Sequence, residues 1–554
     1  MDKSTKIDID QNKEEKETQS QILIRLATDV ELFHTAEGEP FASFKVKDRC
    51  ETWPLKGEGF KLWLTKRFYE ETGKAAGGQG LADALNVLNA KAIFEGRKQP
   101  VFTRVAEKDN VIYIDLCNES WEAVKVDDKG WEIVSNPPVK FKRSRITEEI
   151  PKPIRGGSLD ELRSYINYKN ETDWILIIAW LLTSLRPASP YPILTIQGEQ
   201  GSSKSTTTKV LRAIIDPSAM PLRGLPKEER DFSIAANNTW VLAFDNLSGL
   251  SNTMSDALCK LSTGGGLATR KLYSDDDETV FNIMRPAILN GIDDIAKRQD
   301  LLDRSLVLFL PSIPEIKRTD EKTFWESFKK AHPRILGALL DVLSGAIKEL
   351  PHTSLTAKPR MADFAQWATS AERALGWENG KFMNAYNRNR NEAIDQGLES
   401  DPVAVAVQAF MKGQSIWEGT AAETLVELTK YTGDEGTKYS KAWPSSRRLK
   451  ERLRRIATAL RTKGIEFTDL GRTNKGATLR LEKAVETSIL STSSTQTMLN
   501  QQLSDDQMKI KFKGEVVGDS SSLFKAVNHI TCDDSDDNEY KNPILSNYEK
   551  SGLI

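Results

Sequence analysis

The stretch "GEQGSSKST", Gly198 to Thr206, sets a lysine and two hydroxyls behind a glycine-containing turn. The spacing fits a loop that wraps phosphates, G-x-x-x-x-G-K-[ST], except that Ser203 stands where the second glycine belongs. Gly198 and Gly201 can take the positive φ angles such a loop needs. Serine is tolerable at 203 if its φ is negative. Glu199, Ser202, Ser203 and Thr206 complete the lining. Lys204 can reach the β- and γ-phosphates, and Ser205 can place a hydroxyl on magnesium. The ligand this chemistry expects is ATP with magnesium.

A loop of this kind works only if other elements aim it. The apolar run "ILTIQ" before it reads as a strand and "STTTKVLRAI" after it as a helix, whose N-terminus offers free N–H groups to phosphates. A second apolar strand, "WVLAFDN", ends with Asp245, suited to holding magnesium through water. Asn246 follows where a second acid often polarises the attacking water; asparagine orients water but takes no proton. Glu199 and Asp256 are substitutes that nothing selects between. A third strand, "RPAILNGI", ends with Asn290. In a sheet that brings these ends together, Asn290 lies beside the γ-phosphate. Arg304 precedes the last strand, "SLVLFLPSI", and could reach a neighbouring subunit's phosphate, with Arg298 as runner-up. A salt bridge to Asp300 or Asp303 is the plainer alternative for Arg304.

As an ordered set, "GEQGSSKST", "LAFDN", "LSTGGGLATRKLY", "RPAILNGI" and "DLLDR" resemble the superfamily 3 helicase-like ATPases of phage and plasmid primase–helicases. The resemblance spans about residues 159–314. It implies an AAA+-like core, a hexameric ring, Arg304 acting in trans and Asn290 sensing the γ-phosphate. It also implies a β-hairpin facing the ring channel, with Arg270 and Lys271 touching DNA. Three departures stand out: Ser203, Asn246, and an acidic hairpin tip, "SDDDE", that would repel phosphates. An ordinary amphipathic strand is the alternative for "ATRKLY".

The second informative stretch runs from "WPSSRRLKERLRRIATALRTKG" to "ATLRLEK". Ser445 or Ser446 can cap its helix, and Gly464 can end it. Leu449, Leu453, Ile456 and Leu460 share one face, with Arg447, Arg448, Lys450, Arg454, Arg455 and Arg461 mostly elsewhere. Two alternating strands follow around the turn "GRTNKG", which carries Arg472 and Lys475. Helix, strand, basic turn, strand is the order of a winged helix, which puts the helix in the major groove and the turn on phosphates. A solvated basic face is the bland alternative.

The remainder frames these two regions. With 554 residues and a net charge of −2, the chain needs several domains, and only local charge can point to nucleic acid. Cys50, Cys117, Cys259 and Cys532 are as scattered as His34, His332, His352 and His529, so neither a zinc site nor a disulfide framework is expected, and a reducing cytoplasm is. The start has no apolar core for a signal peptide. "WILIIAWLLTSL" is too short to span a bilayer and reads as a buried helix, so no membrane role is expected.

The expected fold is multidomain α/β. It comprises a disordered tail (1–20), an N-terminal α+β module (21–155), a P-loop AAA+-like parallel-sheet core (156–316), a helical region (317–400), a winged-helix-like basic module (401–483) and a mostly disordered acidic, serine-rich tail (484–554). Asp115 reads as a strand-end residue. The function expected is a DNA-dependent ATPase, a helicase or initiator of a mobile element, on single-stranded or forked DNA, with a separate primase as a possible partner. The rivals are an ATP-driven assembly switch, a primase-associated ATPase, and a remodelling ATPase acting on protein. No pair of acids in 21–155 suits primase metals.

Overall fold

The computed structural model describes residues 17–187, 189–270, 278–281, 283–292, 295, 298–432, 443–474 and 476–483. Residues 1–16, the whole 484–554 tail, Lys271, Lys475 and the hairpin tip lie outside this set.

A sheet of four parallel strands organises the middle of the chain. We label its elements from the helix before it: α1 Glu171–Ser184, β1 Ile193–Gly198, α2 Lys204–Ile215, β2 Leu242–Leu247, α3 Asn252–Thr263, β3 Leu267–Arg270, β4 Glu278–Phe281, β5 Ala287–Gly291 and β6 Ser305–Leu310. The spatial order is β2-β5-β1-β6. β1 pairs on one side with β5 (Leu194 with Ile288) and on the other with β6 (Ile193 with Ser305, Gly198 with Leu310), all parallel. Such strands are buried on both faces, which is why they read as near-continuous apolar runs. α1 is apolar around its whole circumference and is buried from Asp173 to Ser184, as expected. Among the described residues no helix is long and apolar enough to cross a membrane. The segment "AMPLRG", residues 219–224, forms only one isolated bridge, Arg223 to Phe244, beyond β2. Pro221 removes a ladder donor there.

β3 and β4 pair antiparallel, Leu267 with Phe281 and Arg270 with Glu278, giving the expected hairpin. Of Arg270, only the backbone position is described.

The N-terminal module is α+β as expected, with helices Glu58–Thr72 and Gly78–Phe94 and antiparallel strands from Val111 to Val134. Sequence reading missed the strands Glu31–His34, Pro40–Val46 and Arg49–Pro54. They are short, and two of them include proline, which depletes the strand signal. It also drew the tail too long: Gln19 already opens a helix, capped by a reciprocal Thr18–Gln21 box. Asp115 is structural, paired with Arg143 at 2.6 Å.

The module is fastened to the sheet by a buried ion pair. Arg104 Nε donates to Asp216 Oδ1 at 2.9 Å, and Asp216 Oδ2 accepts from the Trp240 and Val241 amides. The helical region begins with α4, Glu321–Glu349. The linker at Ile154 runs so close to α4 that a Cβ on Gly337 would sit 1.9 Å from the Ile154 carbonyl oxygen. Only glycine fits there.

The C-terminal module contains α5 Pro402–Lys412, β7 Ile416–Thr420, α6 Ala421–Thr429, α7 Ser446–Thr462, β8 Ile465–Thr473 and β9 Gly476–Lys483, with its sheet ordered β7-β9-β8. Leu449, Leu453 and Leu460 are buried on α7, and Ile456 is partly so. Ser445 occupies the N-cap but makes no side-chain cap bond. Gly464, at φ +72°, ends the helix as expected.

His332 on α4 is buried and stacks on Phe328, with no partner for Nε2. Burial pushes its pKa down to about 4. A histidine whose folded pKa is depressed stabilises above its unfolded value, about 6.5, and loses that contribution as pH falls toward the folded one. Stability should therefore drop between about pH 6.5 and 4, by on the order of 3 kcal/mol from this group. Denaturant melts of wild type and His332→Phe at pH 7.5 and 5 test this; the variant should lose less over that interval.

Candidate functional site

The parallel register carries the ends of β1, β2 and β5 to one edge of the sheet, where loops lie outside the strands' carboxyl ends. A cleft of about 750 Å³ opens there, lined by the 200–206 loop, Asp245, Asn246, Asn290 and Arg318. Of the residues that sequence reading assigned to phosphate and metal, it gathers Gly201, Ser203, Lys204, Ser205, Thr206, Asp245, Asn246 and Asn290; Gly198, Glu199 and Ser202 lie in the same loop behind it, and Arg304 does not line it.

Gly198 has φ +150° and Gly201 +84°. A Cβ on Gly198 would meet the Leu310 carbonyl oxygen at 2.6 Å. Ser203 corrects the expectation: its φ is +57°, in the left-handed region that glycine would occupy without strain. The loop thus carries a side chain at a position whose backbone favours glycine. Lys204 Nζ turns back onto the loop, donating to the Gly198 and Glu199 carbonyls at 2.8 Å each. Burial holds its pKa below the usual lysine range, against the pull of Asp245.

Ser205 Oγ donates to Asp245 at 3.0 and 3.2 Å. These two are the expected metal ligands, and they meet although their strands are not neighbours. β5 lies between β1 and β2 and supplies Asn290, whose Oδ1 accepts from the Asn246 amide at 3.1 Å and whose Nδ2 donates to Thr208 Oγ1 at 3.1 Å. Asn290 is almost fully buried. Asn246 is exposed at the end of β2, at φ +56°, where the β2–β5 register shifts. Its amide also donates to Asp245. Glu199 faces Ser312, whose Oγ donates to it at 3.5 Å, and Asp256 is paired with Arg298 at 2.6 Å. Among the described residues that line the cleft, Asp245 is the one carboxylate.

Arg304 is placed elsewhere. It precedes β6, beside Ile193, at the opposite end of the strands from the loop. Six residues at about 3.3 Å each put it roughly 20 Å from the loop of its own subunit. Its guanidinium is largely buried and pairs with Asp300, which also pairs with Arg360. The pairing weighed as an alternative for Arg304 is therefore present. Arg298 is the more exposed of the two candidates, with 40% of its side chain accessible.

Two residues near the loop escaped sequence reading. Asn167 Nδ2 donates to the Ser202 carbonyl at 2.9 Å and the Pro311 carbonyl at 2.7 Å, clamping the loop to the segment after β6. That segment also donates from the Ile313 amide to the Gly201 carbonyl, and it delivers Arg318 to the cleft. An Arg318 nitrogen lies 3.3 Å from where a Cβ on Gly201 would be, while its nearest acid, Glu315, is 4.0 Å away. Neither residue belongs to a local pattern; only the chain's return path brings them in.

The basic set on the C-terminal module divides. Arg454 pairs with Asp469 and Arg455 with Glu451. Arg461 pairs with Glu466 at 2.6 Å. Arg447 and Arg448 at the start of α7, and Arg472 near the end of β8, are exposed and make no ion pair among the described residues. A phosphate would meet these three without displacing a carboxylate.

Residues 159–395 match the family described as the actinomycete integrative conjugative element replication protein, and residues 403–496 match the AICE RepA C-terminal domain. No curated protein matches. Among solved structures, the apo NrS-1 C-terminal region aligns at 12% identity and a TM-score of 0.35, over 84% of this chain and 100% of that one. A JCV helicase aligns at 11% identity and a TM-score of 0.21, over 41% of this chain and 66% of that one. In its core and in its C-terminal module, in that order, the chain is thus similar to a replication protein of a mobile element.

The left-handed serine gives a stability prediction. Ser203→Gly should raise the denaturation midpoint, by the equivalent of about 1 kcal/mol. Ser203→Val should lower it, because a β-branched residue tolerates this region least. Denaturant melts of the three proteins decide; an unchanged glycine variant would show that the loop carries no strain there.

Proposed function

We propose that this chain is a mobile-element replication protein that binds ATP and magnesium at the Lys204 loop and acts on DNA, as a P-loop ATPase of the superfamily 3 helicase type. The observation that carries the reading is the hydrogen bond from Ser205 to Asp245, made across an intervening strand. A hydroxyl at a helix N-terminus and a carboxylate at a strand end, so joined, would serve the protein side of an octahedral magnesium site that water and phosphate oxygens would complete. Lys204, now bonded to loop carbonyls, would exchange them for phosphate oxygens. Asn290 fixes the Asn246 backbone beside the terminal phosphate, and Arg318 adds a cation from the same subunit.

A hexameric ring is the assembly that the superfamily 3 resemblance implies, and the placement of Arg304 is consistent with it. Arg304 is too far from its own loop to serve there and would act on a neighbour's nucleotide after leaving Asp300; Arg298 would need only to leave Asp256. The β3–β4 hairpin, with Arg270 and Lys271, would face DNA in the ring. The C-terminal module would bind duplex DNA as a winged helix through Arg447, Arg448 and Arg472. A separate primase remains a candidate partner in replication.

A second reading is favoured by the lining of the cleft. With Asp245 engaged on Ser205 and asparagine at 246, no described lining residue is placed to take a proton from water. ATP would then act as a slowly hydrolysed assembly switch.

ATP binding and hydrolysis, with and without single-stranded DNA, separate the two. Lys204→Ala should lose nucleotide affinity at least tenfold and abolish turnover. Arg318→Ala should weaken ATP binding several-fold with the fold intact. DNA-stimulated turnover in wild type supports the motor. Bound ATP without turnover, with turnover gained in Asn246→Asp, supports the switch. Failure of wild type to bind ATP at all would sink both.

A further inference from the structure

A second cleft, of about 540 Å³, lies where the N-terminal module meets the parallel-sheet module. Three cations line it, the exposed Lys56 and the part-buried Lys142 and Arg285. Lys142 belongs to the N-terminal module, and its Nζ donates to Asn237 Oδ1 at 2.8 Å. Arg285 lies four residues past the end of β4. Its Nε donates to the Ala236 and Thr239 carbonyls at 3.1 Å, its Nη1 to the Met284 carbonyl at 2.9 Å, and the guanidinium sits 5.1 Å from the Trp240 ring. Neither makes an ion pair among the described residues. Burial pushes Lys142 below the usual lysine range and Arg285 down to about 10, and the charge of Arg285 lowers Lys142 further. Glu37 and Glu39 also line the cleft but are exposed, and at Lys142 the pull of Glu39 is outweighed by burial.

Two part-buried cations that share a cleft and pair with no carboxylate among the described residues are costly to hold, and the cost falls when an anion reaches them. Two such donors suit a tetrahedral oxyanion such as a phosphate group. The volume exceeds that of a bare phosphate and leaves room for a sugar and a base beside the partly exposed ring of Phe102. The chain also leads here directly from the hairpin, since Ile283 and Arg285 line the cleft and follow β4.

We propose that the Lys142–Arg285 cleft binds a phosphate group, and that its source is a phosphodiester of single-stranded nucleic acid passing from the hairpin to the N-terminal module. This rests on the DNA-binding reading above. The N-terminal module would then hold the strand beyond the hairpin.

The proposal is tested by binding of a labelled oligothymidylate to the full chain, followed by anisotropy from 50 to 200 mM salt. Losing one phosphate contact should reduce the log–log salt slope by about 0.7. Lys142→Gln should show that reduction with a several-fold weaker affinity, and Lys142→Arg, which keeps the charge, should restore both. An unchanged slope and affinity in Lys142→Gln overturns the proposal. Photo-crosslinking of a 4-thiothymidine strand to wild type needs no variant. Crosslinks within 101–105 or 237–240 support the cleft, and crosslinks confined to other peptides overturn it. The free-phosphate source is tested with inorganic phosphate and ATP in a Lys204→Ala background. Lys142-dependent binding of either, with the strand slope unchanged, overturns the nucleic-acid source. If wild type binds no oligothymidylate, the DNA reading itself fails, and that outcome is distinct from a Lys142-independent slope.

Discussion

The parallel pairing of Ile193–Gly198 on both its edges is the constraint from which the site follows. One flank is held by Ala287–Gly291 and the other by Ser305–Leu310. Because all three run the same way, their carboxyl ends share one rim, and whatever those ends carry is brought together. Gly198, Asn290 and the segment after Leu310 meet there for that reason. Asp245 arrives from the next strand out. The Ser205–Asp245 bond is therefore a statement about sheet order as much as about two side chains.

The same rim concentrates unusual backbone. Ser203 and Asn246 both lie at φ near +57°, and both face the cleft. Each costs energy that ordinary turn residues would not, and such residues persist where the surroundings hold them. Asn246 is held by its own amide, which donates to Asp245 and Asn290. Ser203 is held by the loop it belongs to, which Asn167 clamps from outside. The loop thus keeps its backbone path through neighbours that lie far away in the chain.

Charge burial ties the flanking modules to this frame. Asp216 neutralises Arg104 and accepts from the backbone ahead of β2. Breaking a buried pair of this kind leaves one charge stranded, at a cost of about 3–5 kcal/mol. The N-terminal module is thereby held against the sheet, so a strand threading the hairpin would meet it in a fixed position. The C-terminal module, by contrast, keeps its uncommitted arginines at one end of α7 and near the end of β8, where nothing has to be released before an anion binds.

The sequence alone determined the elements whose signals are local. Near-continuous apolar strands, the all-apolar helix, the loop glycines with Lys204 and Ser205, the acid at the end of β2 and the amphipathic α7 were all legible, because each depends on residues within one or two turns. The hairpin was legible through resemblance. What only the tertiary structure decided is what long-range pairing controls. Ser203 adopts the left-handed region because the loop must return to the helix within a fixed distance, and no propensity reports that. Arg304 and Arg454 look alike as charges in the sequence, yet both are engaged, by Asp300 and Asp469, while Arg447 and Arg472 are not. Arg318 and Asn167 join the site, and Lys142 and Arg285 come to line one cleft, only because strand order folds distant segments together. Sequence periodicity carries direction along an element; which element lies beside it is set by packing, and that is where these roles were fixed.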